Sequence, residues 1–349
     1  MERIGELIEV LNKANAAYEQ GTPVMSDFEY DGLYDELLAL EAASGDVRAN
    51  SPTQRAGHEI VSALTKVRHD SVMLSLDKTK DTARLAEFLG ERTGVLSWKL
   101  DGLSIVLKYS GGVLVQALTR GNGEIGEDVT HNARFFRNIP RAIEFDGDLT
   151  MRGEAIITFT EFAKINMDLD ETERYKNPRN LCAGTIRQLN TRVAAARNVR
   201  YYPFSIVGSL ASTRKSQDLV FLESLGFEVA EYRLVNAANV VSAVDGFKNA
   251  IDAQGFATDG LVLTYDDIAY SRQLGSTSKF PRDSLAFKWK DELVTTRLIE
   301  VQWSTSRTGL MNPVAIFDAV SIEGTTVMRA SLHNLSILEE LELGIGDEI

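Results

Sequence analysis

The chain of 349 residues contains a single cysteine, Cys182. One thiol excludes an internal disulfide and a zinc site built from cysteines, and such sparing use fits a reducing, cytoplasmic setting. No uninterrupted apolar segment approaches the length needed to cross a bilayer. The opening residues Met1-Glu2-Arg3-Ile4-Gly5-Glu6 carry acids where a secretory signal needs a basic flank, so neither export nor a membrane is expected. Positive charge is also in short supply. With 37 Lys and Arg against 50 Asp and Glu, the net charge is -13, which at first sight disfavours a nucleic-acid partner, because phosphate binding needs a basic footprint.

The distribution of charge changes that reading. Residues 1–50 hold eleven acids and three bases, whereas residues 174–200 hold seven bases and no acid: Arg174, Lys176, Arg179, Arg187, Arg192, Arg197 and Arg200. A second basic group, Arg272, Lys279, Arg282, Lys288, Lys290 and Arg297, is interrupted only by Asp283, Asp291 and Glu292. An ordinary solvated face accounts for any single arginine; the unbalanced stretch as a set favours phosphate binding.

With 44% hydrophobic and 25% charged residues, the composition is that of a globular chain long enough for two or three domains. Ile4, Ile8, Leu11 and Ala14 recur at helical spacing, and so do Tyr30, Leu33, Leu37 and Leu38 after the Gly21-Thr22-Pro23 break, with Ser26 or Asp27 as the N-cap. A small helical domain over residues 1–65 is therefore expected. From Met73 to Lys290 the pattern turns to short alternating strands, glycine turns and interspersed helices, the signature of an α+β domain over residues 66–291. Beyond it, Ile299–Trp303 and Val314–Phe317 read as strands of a small barrel in residues 292–349, a stretch too short for the five strands of an OB barrel.

The sharpest chemical signal is Lys99-Leu100-Asp101-Gly102, read as the start of a buried strand in which Leu103, Ile105, Leu107 and Tyr109 share a face. A lysine attacks only as the free amine, which desolvation or neighbouring positive charge favours. Alone the motif is weak, since K-x-D-G arises by chance in roughly one chain in ten of this size. Gly121-Asn122-Gly123-Glu124-Ile125-Gly126 formally matches a dinucleotide fingerprint, but it lacks repeated βαβ units, and Glu124 would face a pyrophosphate. A dehydrogenase is disfavoured.

Downstream of Lys99 stand, in order, Thr119-Arg120-Gly121-Asn122-Gly123, Gly126-Glu127-Asp128, Arg152-Gly153-Glu154, Asn177-Pro178-Arg179-Asn180 with Arg187, Asp259-Gly260-Leu261-Val262 and Ala286-Phe287-Lys288. In that order the set resembles the nucleotidyltransferase motifs of the bacterial NAD+-dependent DNA ligases. Arg307-Thr308-Gly309 with Leu332-His333-Asn334 resembles the family's next domain. Asp27-Phe28-Glu29-Tyr30-Asp31 and Ser51-Pro52-Thr53-Gln54-Arg55 resemble its N-terminal domain, which argues for NAD+ over ATP.

The resemblance implies a helical cap that closes over the nicotinamide mononucleotide half of NAD+, a covalent nucleotidyltransferase domain with antiparallel sheets, and the start of an OB-fold. Lys99, with its deprotonation assisted by the field of Lys288, would take the adenylyl group and pass it to the 5′-phosphate of a nick in duplex DNA for sealing by the 3′-hydroxyl. Lys288 and Arg179 would neutralise phosphate charge, Glu154 would bind ribose hydroxyls, and Arg120 the ribose or phosphate. Asp101 and Asp259 would orient the lysine or hold Mg2+. Asp27, Tyr30 and Asp31 would contact the nicotinamide half, and Ser75, Leu76 and Ser97 the adenine. Arg179, Arg187, Arg192 and Arg307 would contact DNA.

No zinc site is expected in this chain. The family's remaining barrel, zinc and helix-hairpin-helix modules would come from a second polypeptide, as in a split or trimmed viral-type ligase, in a bacterial or virus-infected cell. Three positions depart from the family pattern: Ala17 beside Tyr18 leaves one ring of an aromatic or histidine pair, Ser97 replaces an acid, and Thr264 replaces a lysine. These departures keep alive a different reading, a non-ligating nucleotide-binding or regulatory subunit; an ATP-using ligase leaves the N-terminal segment without a purpose.

Overall fold

The computed structural model describes residues 2–19, 24–25, 27–45, 48, 51–53, 64–170, 173–208, 210, 212–289, 293–305, 311–322 and 325–349. It divides into two compact units, residues 1–289 and 290–349.

Helices α1 (Glu2–Glu19) and α2 (Asp27–Ser44) open the chain. Ile4, Leu7, Ile8 and Leu11 from the first bury against Leu37 of the second, as the spacing predicts. There follow β1 (Lys66–Arg68), β2 (Asp77–Thr79), α3 (Thr82–Leu89), β3 (Gly94–Leu100), β4 (Leu103–Ser110), β5 (Val113–Thr119), β6 (Ile125–Glu127) and α4 (Thr130–Ala133). Next come β7 (Leu149–Ile156), α5 (Phe159–Met167), α6 (Pro178–Ile186), α7 (Thr191–Ala196), β8 (Arg200–Val207), α8 (Lys215–Ser224), β9 (Tyr232–Val235), α9 (Val240–Ala250), β10 (Thr258–Tyr265), α10 (Ile268–Leu274) and β11 (Ser284–Lys288). The second unit contains β12 (Leu298–Thr305), β13 (Met311–Ile322), β14 (Thr325–Ser331) and α11 (Leu335–Glu340).

Two sheets carry the larger unit. One has the order β2-β11-β10-β3-β9 and the other β5-β4-β7-β8. Every pairing in them is antiparallel except β11 with β2. Each sheet buries one face. The first packs Leu96, Trp98, Leu100, Leu261, Leu263, Leu285 and Phe287 against α3 and α9. The second packs Ile105, Leu107, Tyr109, Met151 and Ala155 against α6 and α4. Because side chains alternate along a strand, the opposite faces are free to line a groove.

Several local expectations are corrected. Lys99 lies near the end of β3, not at the start of the strand that follows. Val95, Leu96, Trp98 and Leu100 are buried and place residues 94–100 in the sheet core, so Asp101-Gly102 is the turn through which the chain crosses from one sheet to the other. A Cβ on Gly102 would collide with the Ala155 carbonyl oxygen, so the crossover needs glycine. After residues 121–126, which formally match a dinucleotide fingerprint, stands only the single helical turn α4. In the second unit, β12, β13 and β14 form a three-stranded sheet around Leu298, Ala315, Phe317 and Leu332.

Candidate active site

Lys99, Asp259 and Lys288 come from three adjacent strands. Gly260 pairs with both Lys99 and Lys288 in the register, which sets the two lysines on either side of the start of β10. Gly260 has φ 145° and no room for a Cβ beside the Phe287 carbonyl; the irregularity there turns Asp259 toward the lysines. Lys99 Nζ donates to both Asp259 oxygens, at 2.6 and 2.7 Å, and Lys288 Nζ lies 3.7 Å from Oδ2. The three side chains are 26–27% exposed, which is groove wall and not open surface. Burial alone would push the Asp259 carboxyl up, but Lys99 and Lys288 reverse this and hold it below its ordinary value.

Asp101 has a different partner from the one expected. Its Oδ1 accepts from Arg179 Nη1 at 2.7 Å, and the lysine is oriented by Asp259. Arg179 is positioned by α6, whose N-cap Asn177 accepts from the Asn180 amide. Glu154, on β7, faces the groove from the opposite sheet. It accepts from the Gly102 amide at 3.2 Å and from Ser104 Oγ at 2.7 Å. Burial pushes its carboxyl up to about 7 despite the Ser104 hydrogen bond and the charges of Arg179 and Lys99.

A groove of about 1070 Å³ joins these groups, and its lining includes Tyr30, Ser75, Leu76, Ser97, Arg120, Arg179 and Arg187. It has ample volume for a dinucleotide. Arg120 Nη2 donates to Ser75 Oγ at 2.8 Å, while Arg120 Nε is buried without a hydrogen-bond partner, and burial pulls the guanidinium below its ordinary value. An orphaned buried donor in a groove wall fits an anionic or hydroxyl-bearing ligand.

The Mg2+ expected on Asp101 and Asp259 does not fit these residues. Both Asp259 oxygens are bonded to the Lys99 ammonium, and Asp101 Oδ1 is bonded to Arg179, so neither offers a divalent cation an uncontested carboxylate pair. Among the described residues no cluster of three or more His, Cys, Asp or Glu is placed to hold a metal.

The basic run is divided among several tasks. Arg187 Nε pairs with Glu127 Oε2 at 2.9 Å, with side chains 16% and 3% exposed, so this arginine is a buried ion-pair member and not the DNA-facing group expected. Arg174 donates to backbone carbonyls of Asn166 and Leu169, Arg197 to Tyr175 and Thr185, and Arg200 pairs with Glu228. Arg192 is exposed on α7. Arg307, Thr308, Gly309, Lys290, Gln54, Arg55 and Ser26 lie outside the described residues, as do the side chains of Asp27, Asp31 and Tyr18.

Sequence reasoning missed two groove residues. Ser104 steadies Glu154, and its place on the polar face of β4 was the available signal. Lys279, a member of the second basic group, is the other. Its Nζ is buried without a hydrogen-bond partner and lies 3.9 Å from the Tyr34 ring centroid and 4.8 Å from that of Phe280. Burial pushes it down to about 8. Together with the Lys78–Asp35 pair at 3.2 Å, it fastens α2 beside the groove, a contact no local pattern encodes.

No helix among the described residues is long and apolar enough to cross a membrane. The family model for the NAD-dependent DNA ligase adenylation domain matches residues 61–292. That for the NAD-dependent DNA ligase OB-fold domain matches residues 295–349, and that for a DNA ligase-like, N-terminal NAD+-binding domain matches residues 1–57. A DNA ligase of Ruminiclostridium cellulolyticum is 54% identical over 348 residues, covering 98% of this chain and 53% of that protein. One from Lachnoclostridium phytofermentans is 52% identical over 353 residues, covering 100% of this chain and 54% of that protein. The chain thus spans about half the length of these relatives. With adenylation-domain, OB-fold and N-terminal matches in sequence along it, the chain belongs to the NAD-dependent DNA ligase family.

Proposed function

We propose that this chain carries out NAD+-dependent adenylyl transfer in the sealing of nicked duplex DNA. The observation that carries the reading is the Lys99–Asp259–Lys288 cluster in a groove large enough for a dinucleotide. Lys99 Nζ attacks the adenylyl phosphorus; an N–P bond forms, the P–O bond to the nicotinamide half breaks, and nicotinamide mononucleotide leaves with the bonding pair. Asp259, already hydrogen-bonded to the amine, is the nearest acceptor for its proton. Lys288 and Arg179 offset the charge that gathers on the phosphate oxygens. Glu154 accepts from ribose hydroxyls, and Arg120 supplies a donor to the ribose or phosphate.

In this reading residues 1–65 form the cap over the nicotinamide half, contacted through Asp27, Tyr30 and Asp31, residues 66–291 the adenylation domain, and residues 292–349 an OB-fold segment. Ser75, Leu76 and Ser97 border the adenine. The adenylyl group passes to a 5′-phosphate, and the 3′-hydroxyl displaces AMP. Arg179, Arg192 and Arg307 contact the duplex. The setting is cytoplasmic.

Intact mass after incubation with NAD+ or ATP in buffer containing Mg2+ tests the reading. A gain of one adenylyl group from NAD+, lost in Lys99→Ala, is the expected result. No gain from NAD+ overturns it and favours a non-ligating nucleotide-binding subunit.

A further inference from the structure

The glycine-rich loop of residues 121–126 has an imidazole packed against it. A Cβ on Gly126 would fall 1.9 Å from the Thr119 carbonyl oxygen and 2.8 Å from His69 Nε2, so the ring of His69 takes the space a side chain would need. His69 directly follows β1, which pairs with β6. Its amide donates to the Glu124 carbonyl at 2.8 Å, and its Nε2 lies 3.2 Å from the Arg120 carbonyl oxygen. That oxygen also accepts from the Gly123 amide at 3.0 Å, and the Gly123 carbonyl accepts from the Met73 amide at 2.9 Å. His69 is buried, and burial pulls its imidazole below the ordinary value; Arg152 and Lys108 act in the same direction, against the Arg120 and Thr119 carbonyls. The ring is therefore uncharged near pH 7, and since a carbonyl can only accept, Nε2 carries its one proton.

What this hydrogen bond holds is Arg120. The other end of the same arginine, Nη2, donates to Ser75 Oγ at 2.8 Å, while Nε is buried and unpartnered. His69 and Ser75 belong to one segment, and Arg152 Nη2 fastens that segment to β7 by donating to the Ser71 and Val72 carbonyls at 3.0 Å each. Residues 69–75 thus grip Arg120 twice, at its carbonyl through His69 and at its guanidinium through Ser75. A guanidinium already desolvated and already aimed loses little freedom when a ligand takes its unused Nε–H, so the cost of ordering it is not charged to binding.

We propose that His69 is a positioning residue for adenylyl transfer, setting Arg120 for the ribose or phosphate of the bound dinucleotide through the hydrogen bond from Nε2 to the Arg120 carbonyl. This rests on the adenylyl-transfer reading above, in which Arg120 touches that ligand. Without the imidazole proton, the segment that carries Ser75 is released from the loop that carries Arg120, and the guanidinium has to be ordered anew each time a ligand enters. Leucine at position 69 keeps the burial and removes the donor. Glutamine keeps a donor, because its amide Nε2 reaches about as far along the side chain as the imidazole Nε2.

Calorimetric titration with NAD+ of the full chain carrying Lys99→Ala, which prevents turnover, tests the proposal. Adding His69→Leu should weaken binding about fivefold, the equivalent of one ordinary hydrogen bond, and His69→Gln by less than about twofold. Once Arg120 is alanine, His69→Leu should weaken binding no further, because the carbonyl it releases then carries no guanidinium; a purely structural role would act in both backgrounds. Unchanged affinity in His69→Leu, His69→Gln as weak as His69→Leu, or an equal loss in the Arg120→Ala background overturns the proposal. Should His69→Leu not keep the parent's far-ultraviolet circular dichroism, His69→Asn, whose amide stops short of the carbonyl, takes its place in the same comparisons. A parent that binds no NAD+, or Arg120→Ala that binds it as tightly as the parent, sinks the reading of Arg120 together with the proposal. Weakened binding in Arg120→Ala beside an unaffected His69→Leu sinks the positioning role alone.

Discussion

Replacing Glu154 with glutamine should stabilise the protein above neutral pH while impairing the chemistry. The carboxyl sits at about 7 in the fold against an ordinary 4.5, because burial penalises its charge more than Ser104, Arg179 and Lys99 relieve it. Between those values the folded chain holds a proton that the unfolded chain has released, so stability falls as pH rises through that window and is level above it. Shifting a carboxyl from 4.5 to about 7 corresponds to about 3 kcal/mol once fully ionised, of which about 2–3 kcal/mol accrues between pH 5 and pH 8. Glutamine carries no such penalty. It keeps one oxygen to accept from Gly102 or Ser104 and forgoes the other hydrogen bond, at a cost of about 1 kcal/mol. Glu154→Gln should therefore match or fall slightly below the parent at pH 5 and exceed it by about 2 kcal/mol at pH 8. Urea unfolding at the two pH values measures this directly. A stability difference between variant and parent that does not change with pH would refute the assignment of a buried, charge-penalised carboxyl, and adenylylation as fast as in the parent would refute its role in holding the ribose.

Removing the Ser104 hydroxyl takes away a hydrogen bond that favours the ionised form of Glu154, so Ser104→Ala should move the pH midpoint of adenylylation in the alkaline direction; an unmoved midpoint in a rate–pH profile would detach the two residues. Arg187→Ala leaves the Glu127 carboxylate, 3% exposed, without its ion-pair partner, and should cost about 3 kcal/mol or more in chemical denaturation. A variant as stable as the parent would return Arg187 to the DNA-facing set. Lys279→Met replaces an ammonium pressed between rings by an apolar chain of similar length. Because burial holds the amine at about 8, the fold favours its neutral form, and the penalty is full below that value and gone above the ordinary 10.5. The melting temperature should therefore rise at pH 7, and the gain should vanish near pH 10.5; a gain equal at both would contradict the buried amine.

The pieces whose information is local are legible in the chain's order of residues. Apolar spacing specified α1 and α2, because one face of each must be buried. Alternation specified β4, and ordered motifs singled out Lys99, Asp259 and Lys288. Which side chain partners which is set by the folded arrangement. Asp101 and Asp259 are both acids next to a glycine, and nothing in their neighbourhoods says that one meets Arg179 and the other Lys99; that follows from α6 and β10 converging on the end of β3. A count of arginines cannot separate Arg187, buried against Glu127, from exposed Arg192, since burial depends on what the remainder of the chain stacks above each. Nor can it show that Lys279 lies against Tyr34, more than two hundred residues away in sequence, or that Glu154 loses enough water to hold its proton near neutrality. Charge, desolvation and partnership are properties of surroundings, and the surroundings of these groups are assembled from segments that become neighbours only when the two sheets close on the groove.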